Sequence, residues 1–167
     1  LSTEEEPILR RLGLHLLKIS HDMFLNLVAG ELLQQANYDE TEIHHEFMLL
    51  LEAGYPLLTE EDKRRILDYI QAGPPKDRVE DLASWATTRQ EDQRENGISK
   101  EEYRLSYIRH WKLYRLWMIR DHLSGTFLDE LHSLVAQRGE PDHPTFLTWS
   151  SGGFMVSEVS PFTTEQI

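Results

Sequence analysis

"YRLSYIRHWKLYRLWMIRDHL", residues 103–123, is the stretch that decides the fold. It holds five Tyr or Trp residues, five Arg or Lys residues, and no acid before Asp121. At 100° per residue, Tyr103, Tyr107, Trp111, Tyr114 and Met118 fall within about 80° of one another. Leu105, Ile108, Leu116, Ile119 and Leu123 form a second arc, about 100–180° from Tyr107. A helix that is apolar round most of its circumference packs between several neighbours. Nucleic-acid binding needs aromatics and cations exposed on one face. Here the cations form no stripe: Arg104 and Arg115 flank the aromatics, and Arg109, Lys112 and Arg120 lie farther round. The expected place of this helix is the core, with its arginines reaching solvent or nearby carboxylates.

The pattern on either side is helical too. Ser2 and Glu5 read as a capping box, with Pro7 in the first turn. Leu9, Leu12, Leu16 and Ile19 follow at spacings of three and four. "SHD" (20–22) breaks the helix, with Asp22 as the next cap, and Phe24, Leu25, Val28 and Leu32 make a second apolar face. After a turn at 37–41, Ile43, Phe47, Leu50, Leu51 and Gly54 mark a third helix. Thr59 caps a fourth, carried by Ile66, Leu67 and Ile70 and stopped by "AGPP" (72–75). A fifth, shorter helix holds Val79, Leu82, Trp85 and Ala86, and residues 88–97 read as a polar connection. Ser99 and Glu102 form another capping box, opening the quoted helix. "SGT" (124–126) interrupts it. Phe127, Leu128, Leu131, Leu134 and Val135 then give a clean helical face. Residues 145–159 alternate weakly and read as loop.

The expected fold class is therefore all-α. About seven helices join in consecutive antiparallel pairs, as an α-solenoid-like stack or an irregular bundle. Residues 1–144 read as a helical hairpin array. Residues 145–167 read as an irregular loop leading into a further, truncated helix. Leu1 stands where Met would, and "SPFTTEQI" (160–167) carries a helix-start signature with no helix after it. Both predict that the natural chain continues.

Composition excludes several function classes. The net charge is −12, which opposes general binding to nucleic acid or anionic membranes. There are no cysteines, so disulfides, thiolate metal sites and cysteine nucleophiles are out. No apolar run approaches the ~18 residues that cross a bilayer, and the polar "STEEEP" start is no signal peptide. The expected location is cytoplasmic.

Two constellations invite metal chemistry. Glu42 and His45 make the ExxH of di-iron carboxylate bundles. However, His45 points away from the Ile43–Phe47–Leu50 face, so a solvated pair is expected. "HD" at His21–Asp22, with His15, His44, His45, Asp68, Asp121 and His122, suggests a helical HD-type metal phosphohydrolase. Asp22 is better explained as a cap. There is no P-loop, dinucleotide fingerprint or nucleophile elbow. No catalytic, cofactor-binding or metal-ligating residue is assigned, and no cofactor is expected.

The order of "RRLGLHLL" (10–17), "HHEFMLLLEAGYPLLTEEDKRRILDYIQAGP" (44–74), "HWKLYRLWMIRDHL" (110–123), "LVAQRGEPDHPTFLTW" (134–149) and "SPFTTEQI" (160–167) resembles the α-helical array segments of large multidomain bacterial proteins. These are often coupled to a STAND-type P-loop NTPase or another effector module, many of them linked to antiphage defence. The resemblance implies a non-catalytic scaffold or sensor whose partner is another protein or an adjacent domain of the same chain. The alternatives are an HD-type phosphohydrolase and a nucleic-acid-binding helical module. Trp149, Phe154 and Met155 are the expected protein-contact anchors, since aromatic and Met residues are enriched in interfaces.

Overall fold

A computed structural model describes residues 7–93 and 99–146. Its elements are α1 (Pro7–Ile19), α2 (Leu25–Leu32), α3 (His44–Gly54), α4 (Glu60–Ala72), α5 (Lys76–Gln93), α6 (Lys100–Met118) and α7 (Gly125–Arg138). Three 3-10 turns sit between them, at Gln35–Tyr38, Tyr55–Leu57 and Arg120–His122. The fold is all-α: the described residues contain no strand. None of their helices is long and apolar enough to cross a membrane.

Two helices organise the packing. α3 buries Phe47, Met48, Leu50 and Leu51, and takes α1, α2 and α6 against its sides. α6 buries Trp111, Leu113, Leu116 and Met118, and touches α3, α4, α5 and α7. The core they share draws in Val28 and Leu32 from α2, Ile66 and Ile70 from α4, and Leu131 and Leu134 from α7. Each such side chain contributes roughly 1.5–3 kcal/mol by leaving water. α1 packs chiefly on α3 and less closely on its neighbour α2, while α2 packs on α3, α5 on α6 and α6 on α7.

Local chemistry sets the boundaries. Thr59 Oγ1 accepts the Asp62 amide at 3.2 Å, capping α4. Ser99 and Glu102 close the expected capping box on α6. Gly73 and Gly139 end α4 and α7 at φ of 80° and 82°, a left-handed conformation that favours glycine. Glu80 on α5 ion-pairs with both Lys100 and Arg104 at the start of α6, and Lys112 holds Glu130 of α7 at 3.0 Å.

Several expectations are corrected. α5 is not short: it runs on to Gln93, through the first part of the stretch read as a polar connection. Polar residues are good helix formers, and α5 needs only one apolar edge, Val79–Ala83–Ala86, to dock on α6. α6 stops at Met118, and residues 120–122 form a 3-10 turn in place of the last helical turn. Asp22 caps nothing: α2 starts one residue after Phe24, without a side-chain cap. Leu9, Leu12, Leu16 and Ile19 do not face the core. α1 docks through Leu14, on the opposite side of the helix, with Arg11 pairing Glu46 of α3 at 2.8 Å. The capping box at Ser2 and Glu5 lies outside the described residues.

Candidate functional site: an apolar face and a buried-arginine cleft

α1 docks through a mixed side, on which Leu14 and Leu17 stand among Arg10, Arg11 and Lys18. Its second side is apolar and open: Leu9, Leu12, Leu16 and Ile19 are each more than half exposed. The turn after α1 and the first turn of α2 extend the same surface with Met23 (75% exposed), Phe24 and Leu27. Between α1 and α2 runs a groove of about 760 Å³. Gly13 and Gly30 lie in its wall, and a Cβ added at either would meet no atom within 4 Å. One lip is polar. Arg10 donates to Asn37 Oδ1 at 2.7 Å, and Asn37 Nδ2 donates to Glu31 Oε2 at 2.9 Å. Contiguous apolar surface left in water marks interaction sites.

The second feature lies where the turn before α3, the start of α5 and the aromatic stripe of α6 meet. It is a cleft of about 390 Å³. Arg115 sits at its base, only 4% exposed. It was expected to reach solvent. It folds back instead, its guanidinium carbon 3.8 Å from the centre of the Trp111 ring. It donates to the carbonyls of Trp111 and Tyr38, and its Nε finds no partner among the described residues. Burial pulls its pKa down, to about 9, against the pull of Asp39, so it stays charged at neutral pH. Arg78 enters from α5 and donates to the Asp39 carbonyl. Neither guanidinium forms an ion pair with a carboxylate among the described residues. Asp39, which lines the cleft with Glu40, acts on both guanidiniums through space, and its Oδ1 accepts the Trp111 indole N–H at 2.8 Å. Burial raises the Asp39 pKa, with that hydrogen bond and Arg115 opposing.

His44 lines the same cleft, 5% exposed, and its Nε2 has no partner among the described residues. Burial pushes its pKa down to about 4, and the Arg115 charge adds to the effect. The imidazole is neutral at pH 7. Tyr103, Tyr107 and Tyr114 of α6 are half-buried along the wall. The aromatic stripe therefore lines a cleft at its N-terminal half and enters the core at Trp111 and Met118.

The metal readings fare differently in space. Glu42 lies exposed in the turn before α3, so Glu42 and His45 do not share a helix face. His45 is not solvated as expected: Phe146 stacks on it at 4.5 Å between centroids. His21 Nδ1 lies 2.7 Å from the Lys18 carbonyl, while His15, Asp22 and Asp68 are exposed on different elements and Asp121 and His122 are exposed on the 3-10 turn after α6. Among the described residues no three His, Asp or Glu side chains gather into a group that could hold a metal. Trp149, Phe154 and Met155 lie outside the described residues. The Arg115 cleft left no sequence signal: its members come from the Gln35–Tyr38 turn, α3, α5 and α6, and no spacing along the chain connects them. The open α1 stripe was visible, but its orientation was not.

No family model matches the chain, and neither does any curated protein or solved structure.

Proposed function

We propose that the chain is a non-catalytic helical scaffold segment, working in the cytoplasm as part of a larger bacterial protein. It takes another protein element, either an adjacent domain or a separate partner, onto the α1–α2 face. One observation carries this reading: the open apolar stripe of α1, continued by Met23, Phe24 and Leu27, stands in water beside an open groove. The groove suits an amphipathic helix that lays Leu, Ile or Phe side chains at i, i+3, i+4 and i+7 between α1 and α2. The polar lip of Arg10 and Glu31, braced from behind by the buried Asn37, would set its register. The array resemblance supplies the setting, in which such a contact would couple to a NTPase or another effector.

Photo-cross-linking tests this. The chain has no cysteine, so a single cysteine at Gly13 or Gly30 can be labelled selectively with a benzophenone maleimide. A control cysteine replaces the exposed Arg64 of α4, away from the groove. Cross-links to one defined protein segment should form from the groove positions and not from the control. They should vanish in Leu12→Glu/Leu16→Glu, which changes only exposed side chains. Equal cross-linking from both faces, or cross-links that survive the double substitution, would refute the reading.

A further inference from the structure

We propose that the open stripe of α1 pairs with the same stripe of a second copy of this chain, the two helices lying antiparallel about a two-fold axis. The inference rests on the reading of the α1–α2 face as a protein-contact site, and it names the occupant.

Three observations select a second copy. The first is the spacing. Leu9, Leu12, Leu16 and Ile19 follow one another at three, four and three residues, a narrow seam of the coiled-coil kind. That order reads the same from either end. Turned about a two-fold axis, it sets Leu12 against Leu16 of the second copy and Leu9 against Ile19, and each contact occurs twice. Isologous interfaces require this self-complementarity; an unrelated helix would not. The second is the border of the seam. Ile8 and His15 flank it on one side, Gly13 and Ser20 on the other, and none of the four is an acid, a lysine or an arginine. α1 contains no acid at all. Its three cations lie roughly 80° or more farther round, on the docked side, where Arg10 pairs with Glu31 and Arg11 with Glu46. Closing two seams together therefore strips water from no fixed charge. Gly13 leaves open space beside the seam, so the second helix can approach closely. The third is area. Ile8, Met23 and Leu27 are as exposed as the four seam residues. At on the order of 100 Å² each, the seven side chains offer about 700 Å² per copy, close to the ~800 Å² that each partner gives a standard interface.

Sedimentation of the intact chain from about 5 µM to 1 mM should show its mass doubling from 19.6 kDa, with a dissociation constant of about 100 µM or tighter. Added salt should tighten the pair, because two chains of net charge −12 repel at long range. Leu12→Glu/Leu16→Glu, confined to exposed side chains, should stay monomeric. The chain has no cysteine, so disulfides can read the register. Leu9→Cys chains mixed with Ile19→Cys chains should join under mild oxidation. Leu9→Cys alone should not, since its two copies would stand about 15 Å apart along the helix axes, beyond the ~7 Å between Cα atoms that a disulfide spans. Leu9→Cys joining itself as fast as it joins Ile19→Cys would refute the antiparallel pair. A wild-type chain still monomeric at about 1 mM would overturn the proposal outright. The contact-site reading would survive that result if Gly13 and Gly30 still cross-linked a foreign protein segment. A monomer that instead sedimented with phosphatidylglycerol vesicles would overturn both and assign the stripe to a lipid surface.

Discussion

At Gly54, at the end of α3, the neighbouring α2 comes close. A Cβ built there would stand 2.5 Å from Val28 Cγ1 and 3.1 Å from Leu32 Cδ1 of α2. Real carbon contacts do not go below about 3.4 Å without strain. Val28 cannot swing aside easily: it is fully buried, and a β-branched side chain in a helix has essentially one rotamer. Gly54→Ala should therefore overpack the core, at a cost of about 1–3 kcal/mol. Against this, Ala favours helix over Gly by roughly 0.5–1 kcal/mol. The first effect is larger, so the substitution should destabilise by about 1 kcal/mol net, or about 2–4 °C in Tm for a chain of this size. Gly13→Ala and Gly30→Ala are the controls. Both glycines are helical with open space beside them, so only the propensity gain operates and Tm should rise. The assay is thermal and urea unfolding followed by circular dichroism. A double-mutant cycle sharpens it: in the Val28→Ala background the Gly54→Ala penalty should shrink by about 1 kcal/mol, because the clashing methyl is gone. If Gly54→Ala raises Tm as much as the two controls do, the close approach of α2 and α3 is wrong.

Two further predictions concern the cleft and the cap. His44 is held neutral by burial with a pKa of about 4, against 6.5 for the ordinary group. As pH falls from 6.5 towards 4, the unfolded chain takes up a proton that the folded chain refuses. Stability is then lost at up to about 1.4 kcal/mol per pH unit, roughly 3 kcal/mol over the window. Urea midpoints at pH 7 and pH 5 should fall further for the wild type than for His44→Gln; parallel losses in the two would exclude His44 as the titrating group. Ser99→Ala removes the side-chain half of the α6 capping box, and should cost about 1 kcal/mol in urea unfolding. Ser99→Asp should retain most of that, and an unchanged midpoint in the Ala variant would show that the box is not formed in solution.

The sequence alone determined that the chain is helical, and roughly where each helix lies. Periodic leucines, Thr59, the Ser99–Glu102 box and the glycines at 73 and 139 act within a few residues, so each is legible without knowing the rest of the fold. The same local rules placed α6 at the centre, because a helix with apolar residues on two arcs has to be covered on two sides. What they could not say is that the periodic stripe of α1, Leu9, Leu12, Leu16 and Ile19, would be left uncovered. Packing against α3 takes the opposite, mixed side through Leu14 and the Arg11–Glu46 pair, and leaves the stripe in water. The length of α5 escaped for a related reason, since its polar C-terminal part is a good helix former and shows no periodicity. Arg115 is the clearest case. Nothing in its neighbours along the chain distinguishes it from Arg109 or Arg120. It is buried because Tyr38 and Asp39, more than seventy residues away, bring a carbonyl and a carboxylate to the face of α6 on which it stands. Long-range convergence of that kind is a property of tertiary structure. A charge is kept out of water only where the folded chain assembles groups to solvate it in water's place.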